Sequence, residues 1–222
     1  LQYETAFIRQ HTVLYPIQTL REAVGLGDMN STPRREATRR RLIDAAVREF
    51  AARGIDATSV EQISEAAGFT RGAFYSNFAD KDELILAIVE DVHTATNSLF
   101  LGAVEELPGG VSLDDAVRLV LQSRIISPEV HTTMLEITLR SRREPALAAR
   151  LAERRSEINP LFRGILTAAA ARLGLRLTVD TADFIDIIDA LYESSFTLRT
   201  HDGEARMIEL TSLIADRFTE PE

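Results

Sequence analysis

The chain has 222 residues, 45% of them hydrophobic, with a formal net charge of −9 and no cysteine. That length accommodates one or two domains around a substantial core, and the missing cysteines exclude disulfides, thiolate metal sites and cysteine nucleophiles. No run approaches the roughly 18 uninterrupted apolar residues of a membrane span, and the N-terminus lacks the pattern of a secretion signal, so the expected setting is cytoplasmic, with no membrane partner.

The charge is unevenly divided: residues 34–81 carry a net +2, residues 82–222 a net −10 and residues 1–33 a net −1. Binding to a polyanion depends on local positive charge, so the acidic total does not exclude it. Three segments follow from this division: an extension and arm over 1–33, a basic domain over 34–81, and an acidic helical domain over 82–222.

Within the extension, Ile17, Leu20 and Val24 follow Pro16 at helical spacing and Gly25 closes them, which predicts a short helix. Two origins stay open for this segment, a natural extension or an upstream overreading of a gene that starts at Met29. Intact mass of the protein from its host separates them. Arg34, Arg35, Arg39, Arg40 and Arg41 then form a basic arm, solvated without a partner and suited to phosphates or a minor groove with one. A first helix carries the stripe Leu42, Ile43, Ala46, Val47 and Phe50 and ends at Arg53-Gly54.

From Thr58 to Leu84 the punctuation is dense. Thr58 and Glu61 have the spacing of a capping box, Val60, Ile63 and Ala67 make one apolar stripe, and Gly68 stands where a left-handed residue ends a helix. Only Phe69 separates that glycine from Thr70, a second N-cap, and Phe69 with Phe74 has the spacing of a hydrophobic staple. Two short helices around a glycine-containing corner make a helix-turn-helix, whose second helix can lie in a DNA major groove. Gly72 and Ala73 permit close approach to the duplex, while Arg71, Tyr75, Ser76, Asn77 and Lys81 supply donors. Asp80 and Glu83 repeat the cap spacing ahead of Leu84, Ile85, Ile88 and Val92.

The stretch Arg39 to Glu90, with RRRLIDAAVREFAARGIDATSVEQISEAAGFTRGAFYSNFADKDEL at its heart, resembles the DNA-binding domain of the TetR family of bacterial transcriptional repressors. Gly54, Thr58, Val60, Ile63, Ala67, Gly68, Gly72, Tyr75, Phe78, Lys81 and Leu84 fit the family pattern, and Asn77 departs from it, where His or Tyr is commoner. The resemblance covers about a quarter of the chain; the remainder is similar only in its helical layout. It implies an all-α fold and a DNA-contacting set of Arg39, Arg40, Arg41, Thr58, Ser59, Thr70, Arg71, Gly72, Ala73, Tyr75, Ser76, Asn77 and Lys81.

After Glu90 helices are expected over Asp82–Leu107, Leu113–Ile126, Pro128–Arg142, Pro145–Leu173, Thr181–Thr200 and Glu204–Thr219, with Pro160 kinking or dividing the fourth. No strand-like alternation is present. The Thr181–Thr200 helix is apolar on two sides, through Phe184, Ile188, Leu191 and Leu198 and through Ile185, Tyr192 and Phe196, so it needs two partners. Together with the Met207, Leu210, Ile214, Phe218 stripe it is similar to the pair of helices through which TetR-family subunits dimerise, which implies a homodimer on a palindromic operator. The family likewise implies a small-molecule effector in an apolar pocket, for which Phe100, Val104, Leu121, Met134, Ile137, Phe162, Leu166, Ile185, Tyr192 and Phe196 are candidates.

His11, His93, His131 and His201 are scattered, no HExxH, phosphate loop or nucleophile elbow occurs, and no metal, cofactor or catalysis is expected. Arg140, Arg142 and Arg143 form a small basic cluster that suits an anion or simply the end of a helix. Two alternatives remain: a DNA-binding dimer with no small-molecule ligand, and an enzyme housed in the helical C-terminal domain.

Overall fold

The computed structural model describes residues 33–122, 127–197 and 203–222; the expected helix at Pro16–Val24 lies outside them. The elements are α1 (Pro33–Arg53), α2 (Val60–Ala66), α3 (Arg71–Tyr75), α4 (Lys81–Glu105), α5 (Leu113–Gln122), α6 (Pro128–Ser141), α7 (Pro145–Arg172), β1 (Leu175–Leu177), α8 (Thr181–Thr197), α9 (Gly203–Arg217) and β2 (Thr219–Pro221). The described residues form two compact units, 33–96 with 127–157 and 97–122 with 158–197 and 203–222. The unit containing the helix-turn-helix thus recruits α6 and the start of α7 from beyond residue 81.

In the first unit the stripe of α1 is buried as its spacing predicts: Leu42, Ile43, Ala46, Val47 and Phe50 pack with Ile63 of α2, Phe74 of α3, Phe78, and Leu84, Ile85 and Ile88 of α4. From α6, Val130 and Ile137 complete this core, and Thr133 beside them donates to the Val47 carbonyl at 2.9 Å. Arg34 to Arg41 are not an irregular arm: α1 starts at Pro33, a residue preset for the first helical position, and takes the arginines into its first turns.

In α4 an 18-residue window has a hydropathy of 1.3, enough in length and composition to cross a membrane, but 61% of it is buried inside the protein. A core helix has that profile. α7 runs unbroken through Pro160, the proline removing one backbone bond from a helix of 28 residues.

The second unit has its own core, in which Phe184, Ile188 and Ala215 pack with Leu113, Val117, Leu166, Leu177 and Phe218. Contrary to the absence of strands expected from the sequence, β1 and β2 pair antiparallel, with Leu175 opposite Pro221 and Leu177 opposite Thr219. Gly174, at φ +67, turns the chain out of α7 into this ribbon, and Arg176 pairs with Glu220 across it. Three-residue strands are too short to show an alternating pattern, and Pro221 is tolerated because it sits on an edge.

Candidate nucleic-acid interface

The helix-turn-helix is built by local hydrogen bonds. Ser59 caps α2: its hydroxyl accepts from the Gln62 N–H at 3.2 Å, while the Gln62 side chain accepts from the Ser59 N–H at 2.8 Å. The box therefore sits one residue later than Thr58 and Glu61. Thr58 is 1% exposed and donates its hydroxyl to the Gly54 carbonyl at 2.7 Å, so it shapes the turn from inside and cannot face DNA.

Gly68 ends α2 at φ +74, and a Cβ there would stand 2.9 Å from the Arg41 guanidinium. Arg41 in turn donates to the Ala67 carbonyl at 2.8 Å and stacks over Phe69 at 4.6 Å, a cation placed at the negative end of a helix. Thr70 caps α3, accepting from the Ala73 N–H at 3.4 Å.

On α3, Phe74 turns inward, 5.6 Å from Phe78, while Tyr75 stays 46% exposed with its ring edge-on to Phe74 at 5.4 Å. Arg71 lies beside that ring, 5.4 Å from its centroid, and 3.4 Å from the Tyr75 hydroxyl. It also pairs with Glu61 of α2 at 2.6 Å. The Tyr75 hydrogen bond first, and then the Glu61 charge, raise the Arg71 pKa further. Arg71, Gly72, Tyr75 and Ser76 present an exposed surface, with Ala73 and Asn77 half-buried at its edge.

Several expected donors are already engaged. Lys81 donates to the Ile55 and Thr58 carbonyls at 2.7 and 3.1 Å, tying the turn before α2 to the start of α4; burial and then the nearby Arg140 lower its pKa. Asn77 donates to the Ala73 carbonyl at 2.8 Å and to the Ser76 hydroxyl at 3.2 Å, closing the end of α3. Arg39 covers Phe78 at 4.9 Å, and the Arg40 Nε is buried without a partner. Arg140 is no anion site: it pairs with Asp56 at 3.2 Å, Asp82 at 3.1 Å and Glu144, joining α6 to the turn before α2 and to α4. Sequence spacing put Glu61 in the capping box and missed Gln62, because two adjacent registers of the cap fit equally well, and it gave no sign of the Glu61–Arg71 pair.

Gly72 carries a testable distinction. A Cβ there would meet only the Thr70 hydroxyl oxygen, at an ordinary 3.7 Å, so nothing inside the protein demands glycine. Gly72→Ala is expected to raise stability by up to about 1 kcal/mol through helix propensity while weakening DNA binding, with denaturant titration and duplex binding read on the same preparation.

In the second unit an apolar cavity of about 120 Å³ opens between α4, α5, α7, α8 and α9, and no polar atom surfaces on its wall. Phe100, Val104, Leu121, Phe162, Leu166 and Ile185 line it, with Leu107, Val117, Ile165, Phe184 and Ile188, which the sequence reading did not include; the Phe100 and Phe162 rings are 5.5 Å apart. Met134 and Ile137 do not line it but belong to the core of the first unit. The Tyr192 and Phe196 side chains lie outside what is described. Among the described residues no group of three or more His, Asp or Glu could hold a metal ion.

Two short helices crossing at a glycine corner, the second one capped, basic at its first residue and exposed on one face, define a helix-turn-helix domain of the DNA-binding class. In that domain residues 42–88 match the model for bacterial regulatory proteins of the tetR family. The chain is 35% identical over 89 residues to the HTH-type transcriptional regulator YwcC of Bacillus subtilis, covering 38% of this chain and 40% of that one. It is 30% identical over 125 residues to the HTH-type transcriptional repressor Rv1474c of Mycobacterium tuberculosis, covering 55% and 60%. The chain thus matches less than two thirds of the length of these relatives. A TetR-family regulator from Cytophaga hutchinsonii superposes with a TM-score of 0.63 at 16% identity, over 87% of this chain and all of that one, and shares the fold.

Proposed function

We propose that this protein is a homodimeric transcriptional regulator, a repressor that leaves a palindromic operator when a small, largely apolar effector occupies its second unit. The observation that carries the DNA reading is the exposed face of α3, where Arg71 and Tyr75 stand over a buried Phe74 that fixes their direction. Residues 34–81 are the segment assigned to DNA, and α8 with α9 the dimer face. Leu213 of α9 is 64% exposed in the single chain, a large apolar side chain that a second copy would cover.

The effector reading rests on the cavity. A wall built of apolar residues apart from Thr211 and Thr219 favours an uncharged, largely apolar ligand, since a buried polar group left unpaired costs about 1–3 kcal/mol, and cavities near this volume hold a single benzene-sized molecule. Release then requires that the ligand prefer the conformation that does not bind DNA.

The first test is footprinting of the DNA flanking the protein's own gene at defined salt. A protected palindrome is expected, and absence of protection by a folded dimer counts against self-regulation. Toluene added to that complex should release it. Ala116→Leu, which fills the cavity from its α5 wall, is expected to abolish release while leaving operator affinity within about threefold; retained release would place the effector elsewhere.

A further inference from the structure

We propose that Glu61 is a specificity-determining residue: its carboxylate competes with DNA for Arg71 and thereby weakens binding to arbitrary duplex more than binding to the operator. The inference rests on the reading of α3 as the recognition helix.

Glu61 lies in the first turn of α2 and Arg71 is the first residue of α3, so the contact spans the corner of the motif. The Oε1–Nη1 distance is 2.6 Å, and the two side chains are 54% and 61% exposed. Such an exposed pair is screened by solvent and adds little to stability. Its effect falls instead on a surface that has to meet phosphates. Of the cations expected to face DNA, Arg39, Arg41 and Lys81 are engaged with ring faces and backbone carbonyls. Arg71 is the one on α3 itself, and a carboxylate holds it.

The competition is unequal between partners. A phosphate oxygen offers Arg71 only the kind of charged acceptor that Glu61 already provides, so little is gained in exchanging one for the other. A guanine edge presents O6 and N7 together to the planar fork of the guanidinium, a geometry the single Glu61 contact does not reproduce. Glu61 therefore subtracts most from backbone contacts, which supply nearly all nonspecific affinity, and discrimination rises because the wrong complex is weakened.

The test compares wild type and Glu61→Gln, as full chains, on the footprinted duplex and on a scrambled duplex of equal length over about 50–300 mM salt. The substitution is expected to tighten scrambled-duplex binding about fivefold at low salt, to steepen that salt slope by about one and to change operator affinity less, so that the affinity ratio falls. Glu65→Gln, a neutralised acid on the same helix that makes no contact with Arg71, should leave the ratio unchanged. In an Arg71→Ala background, Glu61→Gln should no longer alter it. Equal tightening on both duplexes, or an effect that persists without Arg71, overturns the inference. Specific operator binding with a silent Glu61→Gln overturns this inference alone, whereas no binding of wild type to either duplex at low salt overturns the recognition-helix reading as well.

Discussion

Phe74→Ala is expected to lower unfolding stability by about 3–5 kcal/mol, a large share of the roughly 5–15 kcal/mol available to a domain. Phe74 is fully buried, its ring lies tilted against Phe78 and edge-on to Tyr75, and it is the one buried residue of a helix only five residues long. So short a helix has no stability of its own; the ring inserted into the core of α1, α2 and α4 holds it in place. Phe74→Leu keeps most of the volume and should lose about 1.5 kcal/mol or less. The check is denaturant unfolding followed by circular dichroism, read as a midpoint shift at constant slope. A loss below about 1 kcal/mol for Phe74→Ala would mean that α3 is held by its caps and not by this ring.

How much of this arrangement the residues announce depends on how local the deciding interaction is. Gly68, the Thr70 cap and the inward turn of Phe74 were readable because each is settled within a few residues. The α2 cap was misplaced by one because Thr58 and Ser59 are both good caps and Glu61 and Gln62 both suit the third position. What decides between them is that Thr58 faces the Gly54 carbonyl and the Lys81 ammonium reaches its backbone from 23 positions away. Lys81 and Asn77 look like DNA donors for the same reason: composition shows a donor, and only the fold shows what it already binds. Met134 and Ile137 were expected in the effector pocket and belong instead to the core of the first unit, because helical periodicity reports that a face is buried, not which core receives it. The Arg140 network, linking residues 56, 82, 140 and 144, has no signature in sequence spacing.

Tyr75→Ala is expected to weaken binding to the proposed operator by about 1–3 kcal/mol, roughly 5- to 150-fold, without changing the assembly state. The ring does two things that truncation removes together. It lines the guanidinium of Arg71 from 5.4 Å, limiting the directions in which that long side chain can point, and it places a hydroxyl on the outer face of α3. Its contact with Phe74 is edge-on and leaves it 46% exposed, so its loss costs little stability beside the loss of Phe74. Tyr75→Phe separates the two roles, because it keeps the ring against Arg71 and removes only the hydroxyl. The 3.4 Å hydroxyl contact is at the weak limit of a hydrogen bond, so the phenylalanine variant should retain more than half of the binding free energy lost in the alanine variant. Duplex titration at one fixed salt gives the affinities, and sedimentation of the same samples gives the assembly state. Unchanged operator affinity in Tyr75→Ala would remove Tyr75 from the interface. Equal losses in both variants would instead place the hydroxyl itself on a phosphate or base, and the positioning of Arg71 would then rest on Glu61 alone.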